Sequence, residues 1–240
     1  MIKLAVSGCM GRMGQRIICL ALQDKEFQMT TLLEHPNHPR FNEKINDMPI
    51  HTDALLALKG SQILIEFTTP EATMQNLAAC LKNKVNMVIG TTGLIEDQIK
   101  KIKTASKKIA IVFASNMSIG VNLLFKLTEL TASKTGVHYS INMTEAHHIH
   151  KKDAPSGTAK TLAQIAEAAS RQKVEDIKSI REGEIIGDHT VIFESDEDMI
   201  TLTHHAKTRD IFAKGALVAA KFLAKKKSGL FNMQDVLGLK

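Results

Sequence analysis

The sequence predicts an α/β chain: a Rossmann-type doubly wound parallel sheet joined to a smaller α+β unit with an open mixed sheet. Three observations carry this. Short, almost wholly apolar runs alternate with amphipathic stretches over residues 1–115, a glycine-rich turn follows the first run, and beyond residue 118 the rhythm changes to alternating segments. Near-continuous apolarity is expected of parallel strands covered on both faces, and the βαβ alternation implies a doubly wound sheet.

The runs are IKLAVSG (2–8), MTTLL (29–33), ILIEF (63–67), NMVIG (86–90) and IAIVF (109–113). Between them PEATMQNLAACLKN (70–83) opens with proline at a first-turn position, as a helix start does. A helix is expected after Ser118, a strand over 136–146 (GVHYSINMTEA) and a helix over about 158–172. IKSIREG (177–183), HTVIFES (189–195) and MITLTHHA (199–206) are further strand candidates, and FAKGALVAAKFLAKK (212–226) reads as a helix returning to the first unit. His204 and His205 read as strand residues facing an interface or solvent. The expected division is therefore 1–118 together with 210–240, and 119–209.

With 44% hydrophobic residues in 240, the chain can bury a core, and its length fits one large domain or two modest ones. Aromatics make up 4%, with no Trp and one Tyr, which argues against a base-stacking nucleic-acid surface. The net charge of +6 suits an anionic partner, although part of it sits in solvated runs such as 225–227 (KKK). Cys9, Cys19 and Cys80 are odd in number and lack CxxC spacing, which fits a reducing compartment and gives neither a disulfide nor a zinc signal. Cys9 reads as a loop filler rather than a nucleophile. No apolar run approaches the ~18 residues of a membrane span, and the opening residues turn at once into a strand, so a cytoplasmic protein without a membrane partner is expected.

The turn VSGCMGRMGQ places Gly8, Gly11 and Gly14 after the first strand and at a helix start. Glycines there allow a sharp turn and close approach to a pyrophosphate, which the helix N-terminus attracts. The spacing is GxxGxxG and weak alone, but Glu34 follows at the end of the second run, where an acid would accept hydrogen bonds from an adenosine ribose. Arg12 is placed to meet a phosphate. GTTG (90–93) and ASNMS (114–118) follow the fourth and fifth runs and would line a nicotinamide half-site, or serve only as capping turns.

EAHHIHKKDAPSGTA (145–159) concentrates titratable nitrogen before a helix start. In an extended segment His147 and His148 point to opposite faces, which disfavours a shared metal ion, and none is expected. Asp153 and Ser156 are cap-type residues, Pro155 stiffens the entry and Gly157 bares backbone amides that could bind a carboxylate. With lysines and histidines beside it, the stretch suits a dianionic small molecule that receives a proton. A basic surface loop capping a helix stays open as the alternative.

This stretch resembles the signature of the dihydrodipicolinate reductase family. The likeness continues through GCMGRMGQ, EFTTP, GTTG, ASNMSIGVN, SIREGEIIGDHTVIF and FAKGA, in that order, and so covers essentially the whole chain. It implies NADH- or NADPH-dependent reduction of a cyclic unsaturated dicarboxylate, formed by dehydration of 4-hydroxy-tetrahydrodipicolinate, in lysine and diaminopimelate synthesis. It implies His147 as proton donor and acceptor, Lys151 as proton donor, His148 as a substrate-binding histidine, and Gly157 and Thr158 as the substrate carboxylate pocket. The cofactor positions it implies are Gly8, Cys9, Met10, Gly11, Arg12, Met13, Glu34, Gly90, Thr91, Thr92, Ala114, Ser115, Asn116 and Met117. A homotetramer formed through the second unit is also implied. Members that accept NADPH well often carry arginine after the ribose-binding acid; this chain has His35, so NADH is the expected preference, with Arg12, His38 or Arg40 as partial compensation. Three other readings compete, one of them a cofactor-binding regulator that has lost activity, against which His147 and Lys151 speak. An amino-acid semialdehyde dehydrogenase of the aldehyde type would need a catalytic thiol, for which Cys80 is poorly placed, and a nucleic-acid binder would need clustered basic and aromatic residues, which are not seen.

Overall fold

The computed structural model describes residues 1–239. Residues 1–117 with 212–238 form one compact unit, and 118–211 form the other. Among the described residues no helix is long and apolar enough to cross a membrane.

The first unit runs β1 (Ile2–Ser7), α1 (Arg12–Gln23), β2 (Phe27–Leu33), β3 (Lys44–Ile45), β4 (Met48–His51), α2 (Ala54–Ala57), β5 (Ile63–Glu66), α3 (Pro70–Asn83), β6 (Asn86–Ile89), α4 (Glu96–Ala105) and β7 (Ala110–Phe113). The second contributes α5 (Ile119–Thr135), a single 3₁₀ turn (Gly136–His138), β8 (Ser140–His147), α6 (Gly157–Ser170), β9 (Asp176–Arg181), β10 (Asp188–Glu194) and β11 (Met199–His205). After these come α7 (Asp210–Leu223), β12 (Gly229–Phe231) and α8 (Met233–Leu237).

The large sheet has the order β12-β7-β6-β5-β1-β2-β4-β3 and is parallel except for the β3–β4 hairpin. Its strands read as unbroken apolar runs because both faces are covered. Leu4, Val6, Ile65 and Val112 pack with Ile17 and Ile18 of α1 and Ala216 and Ala220 of α7, while Ala5, Leu64, Met87 and Ile111 pack with Leu77 and Cys80 of α3 and Ile102 of α4. In α1 the buried residues are Gly14, Ile17, Ile18 and Ala21, the i, i+3, i+4, i+7 stripe of an amphipathic helix. Thr69 caps α3 by accepting the Ala72 amide, and Lys84 closes it in the left-handed conformation (φ 57°). Because β1 lies between β2 and β5, strand order reverses at β1. The crevice at the carboxyl ends of these strands is the topological switch point of the fold.

The second unit is a four-stranded sheet in the order β11-β10-β8-β9, antiparallel except where β8 meets β9. One face packs on Val121, Leu124 and Phe125 of α5 and Leu162, Ala163 and Ala166 of α6.

Residues 136–138 make a 3₁₀ turn, so the strand expected from 136 starts only at Ser140, and the helix expected at 158–172 spans Gly157–Ser170. The hairpin after Glu34 lay outside the expected elements. Its two central residues, Asn46 and Asp47, both have positive φ (49° and 60°), as a type I′ turn requires. The short α2, β12 and α8 are too brief to impose a period on the sequence.

At the glycine turn the backbone approaches itself closely. A Cβ on Gly14 would lie 2.0 Å from the Gly8 carbonyl oxygen, so α1 can start there only without a side chain. Gly14→Ala should cost about 1–3 kcal/mol of stability through overpacking against backbone, checked by the urea midpoint with the denaturant slope unchanged.

Candidate active site

Strand β8 alternates strictly, with Ile141, Met143, Glu145 and His147 buried. Its register pairs Glu145 with His189 on β10 and His147 with Arg181 on β9. The covered face is therefore apolar at one end, where Ile141, Met143, Val191 and Phe193 join the core, and polar at the carboxyl end of β8.

At that polar end Glu145 is 1% exposed. A buried carboxylate is costly unless paired and hydrogen-bonded, and here it is both. The Arg181 guanidinium donates to its Oε1 at 2.7 Å, the Ser156 amide reaches the same oxygen at 3.4 Å, and His147 Nδ1 is hydrogen-bonded to Oε2. Burial pushes the Glu145 carboxyl up, but the hydrogen bonds from Arg181 and His147 pull it further down, so it stays below the usual carboxylate value. Burial likewise holds the His147 imidazolium below the ordinary histidine value; Lys151 and Arg181 add to this, and Glu145 opposes it.

The same groups organise the loop after β8. Arg181 also donates to the Asp153 carbonyl at 2.6 Å, and the Asp153 carboxylate binds Lys151 Nζ at 2.8 Å. Asp153 therefore does not cap the helix. Ser156 alone is the N-cap of α6, its Oγ accepting the Ala159 amide at 3.2 Å while meeting His189 Nε2 at 3.1 Å. Gly157 opens the first turn of α6 into free space, since a Cβ there would meet nothing within 4 Å, and Thr158 follows half-buried. His148 is half-buried and lies just beyond the end of β8.

In the first unit, Gly8, Gly11 and Glu34 line a cavity of about 740 Å³ at the switch point, together with His35, His38 and Lys82. Gly8 has φ +73°, and a Cβ on it would lie 2.5 Å from the Phe67 carbonyl oxygen. Gly11 is the N-cap of α1 and brings no side-chain cap, which leaves the first-turn amides of the helix to face a ligand. The Glu34 carboxylate accepts the Met10 and His35 amides, both at 2.9 Å, one on each oxygen. This cradle fits a dinucleotide, with phosphates at the helix N-terminus and a ribose at Glu34.

Arg12 is exposed as the first residue of α1, and Met13 is half-buried. Cys9 is buried and its thiol is pushed up to about 12, by burial and then by Glu34, so it is a filler and not a nucleophile. Cys80 is equally buried, with its thiol also pushed up. Thr91 is buried, Thr92 and Ser115 are exposed, and Gly90 carries the Phe67 ring. The segments 90–92 and 114–117 follow β6 and β7, outside the cavity of Gly8 and Glu34. Beneath them lies Glu66, unanticipated and fully buried, which accepts the hydroxyls of Thr68 (2.5 Å), Thr91 (2.9 Å) and Thr73 (3.0 Å). It ties the loop after β5 to the loop after β6.

Two family models match the chain: dihydrodipicolinate reductase, N-terminus, over residues 2–117, and dihydrodipicolinate reductase, C-terminus, over 120–237. The chain belongs to the dihydrodipicolinate reductase family. It is 41% identical to 4-hydroxy-tetrahydrodipicolinate reductase of Polynucleobacter necessarius subsp. necessarius (strain STIR1), covering 99% of both chains. It is 39% identical to the same-named protein of Methanocaldococcus jannaschii, over 100% of this chain and 98% of that one. Among solved structures it resembles a dipicolinate-bound dihydrodipicolinate reductase from Paenisporosarcina sp. TG-14, with a TM-score of 0.83 at 23% identity and 98% coverage of each chain. That likeness speaks for the fold.

Within this family framework, Glu145, Arg181, His189 and Ser156 complete the surroundings of His147. The sequence carried one signal for them, the period-two alternation that puts Glu145 on the His147 face; the cross-strand partners needed the register. Atoms of Glu145, His147 and His189 lie within 4.8 Å of one another, close enough for a cation. Arg181 already supplies the countercharge to Glu145, however, and a cation beside that guanidinium would be repelled, so the group is a hydrogen-bond network.

His189 is 4% exposed, and its imidazole is pushed down to about 4, mainly by burial and next by His147. It is therefore neutral in the folded state at neutral pH, while in the unfolded chain it titrates near 6.5. A depressed folded value gives stability that is present above pH 6.5 and lost as pH falls toward 4, by at most about 3 kcal/mol. His189→Gln should flatten the decline of the urea midpoint between pH 7 and 4.5; a decline as steep as wild type would remove His189 from the acid sensitivity.

Proposed function

We propose that this chain reduces the dehydration product of 4-hydroxy-tetrahydrodipicolinate to tetrahydrodipicolinate with a reduced nicotinamide dinucleotide, a step of lysine and diaminopimelate synthesis. The observation that carries the reading is the buried Glu145–His147 pair at the end of β8, beside a cationic loop and the open N-terminus of α6. The chain is an oxidoreductase by family, and its first unit has the glycine cradle, the uncapped α1 terminus and the ribose-binding acid of a dinucleotide site.

The dinucleotide, when bound, supplies the hydride. The protein binds the dianion and provides a proton. The first-turn amides of α6 at Gly157 and Thr158 receive one carboxylate, and the helix dipole favours its charge. Lys151 offers a mobile ammonium, held near the site by Asp153 until a substrate carboxylate competes for it. His148 adds a binding contact. Hydride addition to a conjugated imine leaves carbanion character on the neighbouring carbon, which must be protonated; we assign that proton to His147, whose pairing with Glu145 supports the reading.

NADH is the preferred reductant in this reading. Glu34 is oriented by two amides and would repel a 2′-phosphate, while His35 offers no guanidinium fork. Arg40 is committed to Glu43 through contacts of 2.8 and 2.7 Å and lies away from the cavity of Glu34, which leaves Arg12 at the start of α1 and the cavity-lining His38 and Lys82 as the candidates for compensation. We further propose the cofactor roles of residues 8–13, 90–92 and 114–117, a cytoplasmic location, a homotetramer built through the second unit, and a division into a cofactor-binding domain (1–118 with 210–240) and a substrate-binding domain (119–209). The burial of Cys9 and Cys80 weighs against thiol chemistry of the semialdehyde type at either residue.

His147→Ala should lower kcat by about 10²–10⁴ with little change in NADH affinity, measured by NADH oxidation with freshly generated substrate. An unchanged rate would remove His147 from the chemistry. For the cofactor, kcat/KM should favour NADH, and a roughly tenfold advantage for NADPH would overturn the preference.

A further inference from the structure

We propose that Glu145 is a positioning residue for proton transfer. Itself fixed by Arg181 and the Ser156 amide, it keeps a proton on Nδ1 of His147, so Nε2 is the nitrogen that exchanges a proton with the substrate, and Gly187 keeps the approach to Nε2 clear. This rests on the reading of His147 as the acid and adds the device that makes it one.

A carboxylate can only accept a hydrogen bond, so the Nδ1 facing Glu145 must carry a proton in both charge states of the ring. Proton gain and loss then fall on Nε2. The carboxylate cannot swing away to release the ring, because Oε1 is held by Arg181 at 2.7 Å and by the Ser156 amide at 3.4 Å. The charged and titratable groups around the imidazole come from every neighbouring element: Glu145 from its own strand, Arg181 from β9, the neutral His189 from β10 and Lys151 from the loop beyond β8. Only Glu145 favours the imidazolium that an acid must pass through, and His189 packs its ring edge-on at 5.2 Å, restricting rotation.

Gly187 lies at the other nitrogen. A Cβ on it would sit 3.1 Å from His147 Nε2, tighter than a normal contact and at the atom that must meet substrate, while His189 Cε1 at 3.7 Å would be an ordinary neighbour. Its backbone is in an ordinary conformation, with no positive φ, so nothing in the turn itself demands glycine. The demand comes from Nε2 itself, which a Cβ would crowd. Because Ser156 N shares Oε1 with Arg181, the same carboxylate also aligns the α6 terminus with the imidazole, coupling substrate anchoring to proton delivery.

The test uses the full chain with ¹⁵N-labelled histidine, wild type, Glu145→Gln, Gly187→Ala and His147→Ala, the last assigning the His147 signals among ten histidines. At a pH where the ring is neutral, wild type should show the Nδ1–H tautomer, and Glu145→Gln should move it toward Nε2–H. Both Glu145→Gln and Gly187→Ala should lose kcat by on the order of 10²-fold, with KM for NADH within about twofold of wild type. Gly187→Ala should retain the wild-type tautomer, separating blocked access from lost orientation. An Nε2–H tautomer in wild type would overturn the proposal. So would wild-type kcat in both variants while His147→Ala is inactive. Full activity in His147→Ala would instead refute the acid assignment, leaving the tautomer measurement to judge the Glu145 device alone.

Discussion

The second unit is organised around one buried charge. Glu145 sits where β8 leaves the hydrophobic core, and a carboxylate at 1% exposure is tolerated only if its surroundings replace water. The replacement determines much else. Arg181 must come from β9, which requires the parallel β8–β9 pairing; Ser156 must come from the α6 entry, which fixes where that helix begins; and His147 must lie two residues along on the same face. The Arg181 guanidinium then reaches the Asp153 carbonyl, and Asp153 holds Lys151. A single electrostatic requirement thus gathers an imidazole, an ammonium and a helix N-terminus in one place.

The first unit answers a steric requirement instead. Phe67, just after β5, presents its carbonyl to Gly8 and its ring to Gly90, where a Cβ would lie 2.5 Å and 2.2 Å from it. Two glycine loops, at the ends of β1 and β6 on either side of β5, therefore close around one residue, and neither could carry a side chain. Glu66 directly before it is locked by three threonine hydroxyls. Burial pushes its carboxyl up and the hydroxyls of Thr68, Thr91 and Thr73 oppose that, so the loops after β5 and β6 share one buried anchor. Rigid loops at a switch point suit a ligand that must be held in one pose.

The two buried carboxylates differ in use. Glu66 is met by neutral groups, three threonine hydroxyls and the Thr68 backbone, and burial still holds its carboxyl above the usual value. Glu145 is met by a guanidinium and an imidazole and stands in a chain of titratable groups. His189, pushed down to about 4, stays neutral beside His147 and lends packing and a hydrogen bond to Ser156 without adding a competing cation.

The doubly wound sheet, its glycine turn, the acid at the end of β2 and most helices were legible in order, since apolar runs, a 3.6-residue stripe and capping residues are local signals. The loop bearing His147, Lys151 and Gly157 was legible by its unusual density of cations before a helix start. Short elements were not: two-residue β3 and four-residue α2 impose no period, and the 3₁₀ turn at 136–138 resembles an alternating strand. By itself the sequence determined which residue types were available and on which face of a strand or helix each would fall. Only the tertiary structure decided which faces met: that Arg181 pairs with His147, that His189 lies against Glu145, that Arg40 turns to Glu43, and that Gly187 stands before Nε2. Register and long-range pairing depend on contacts between residues far apart in the chain, and no local pattern encodes them.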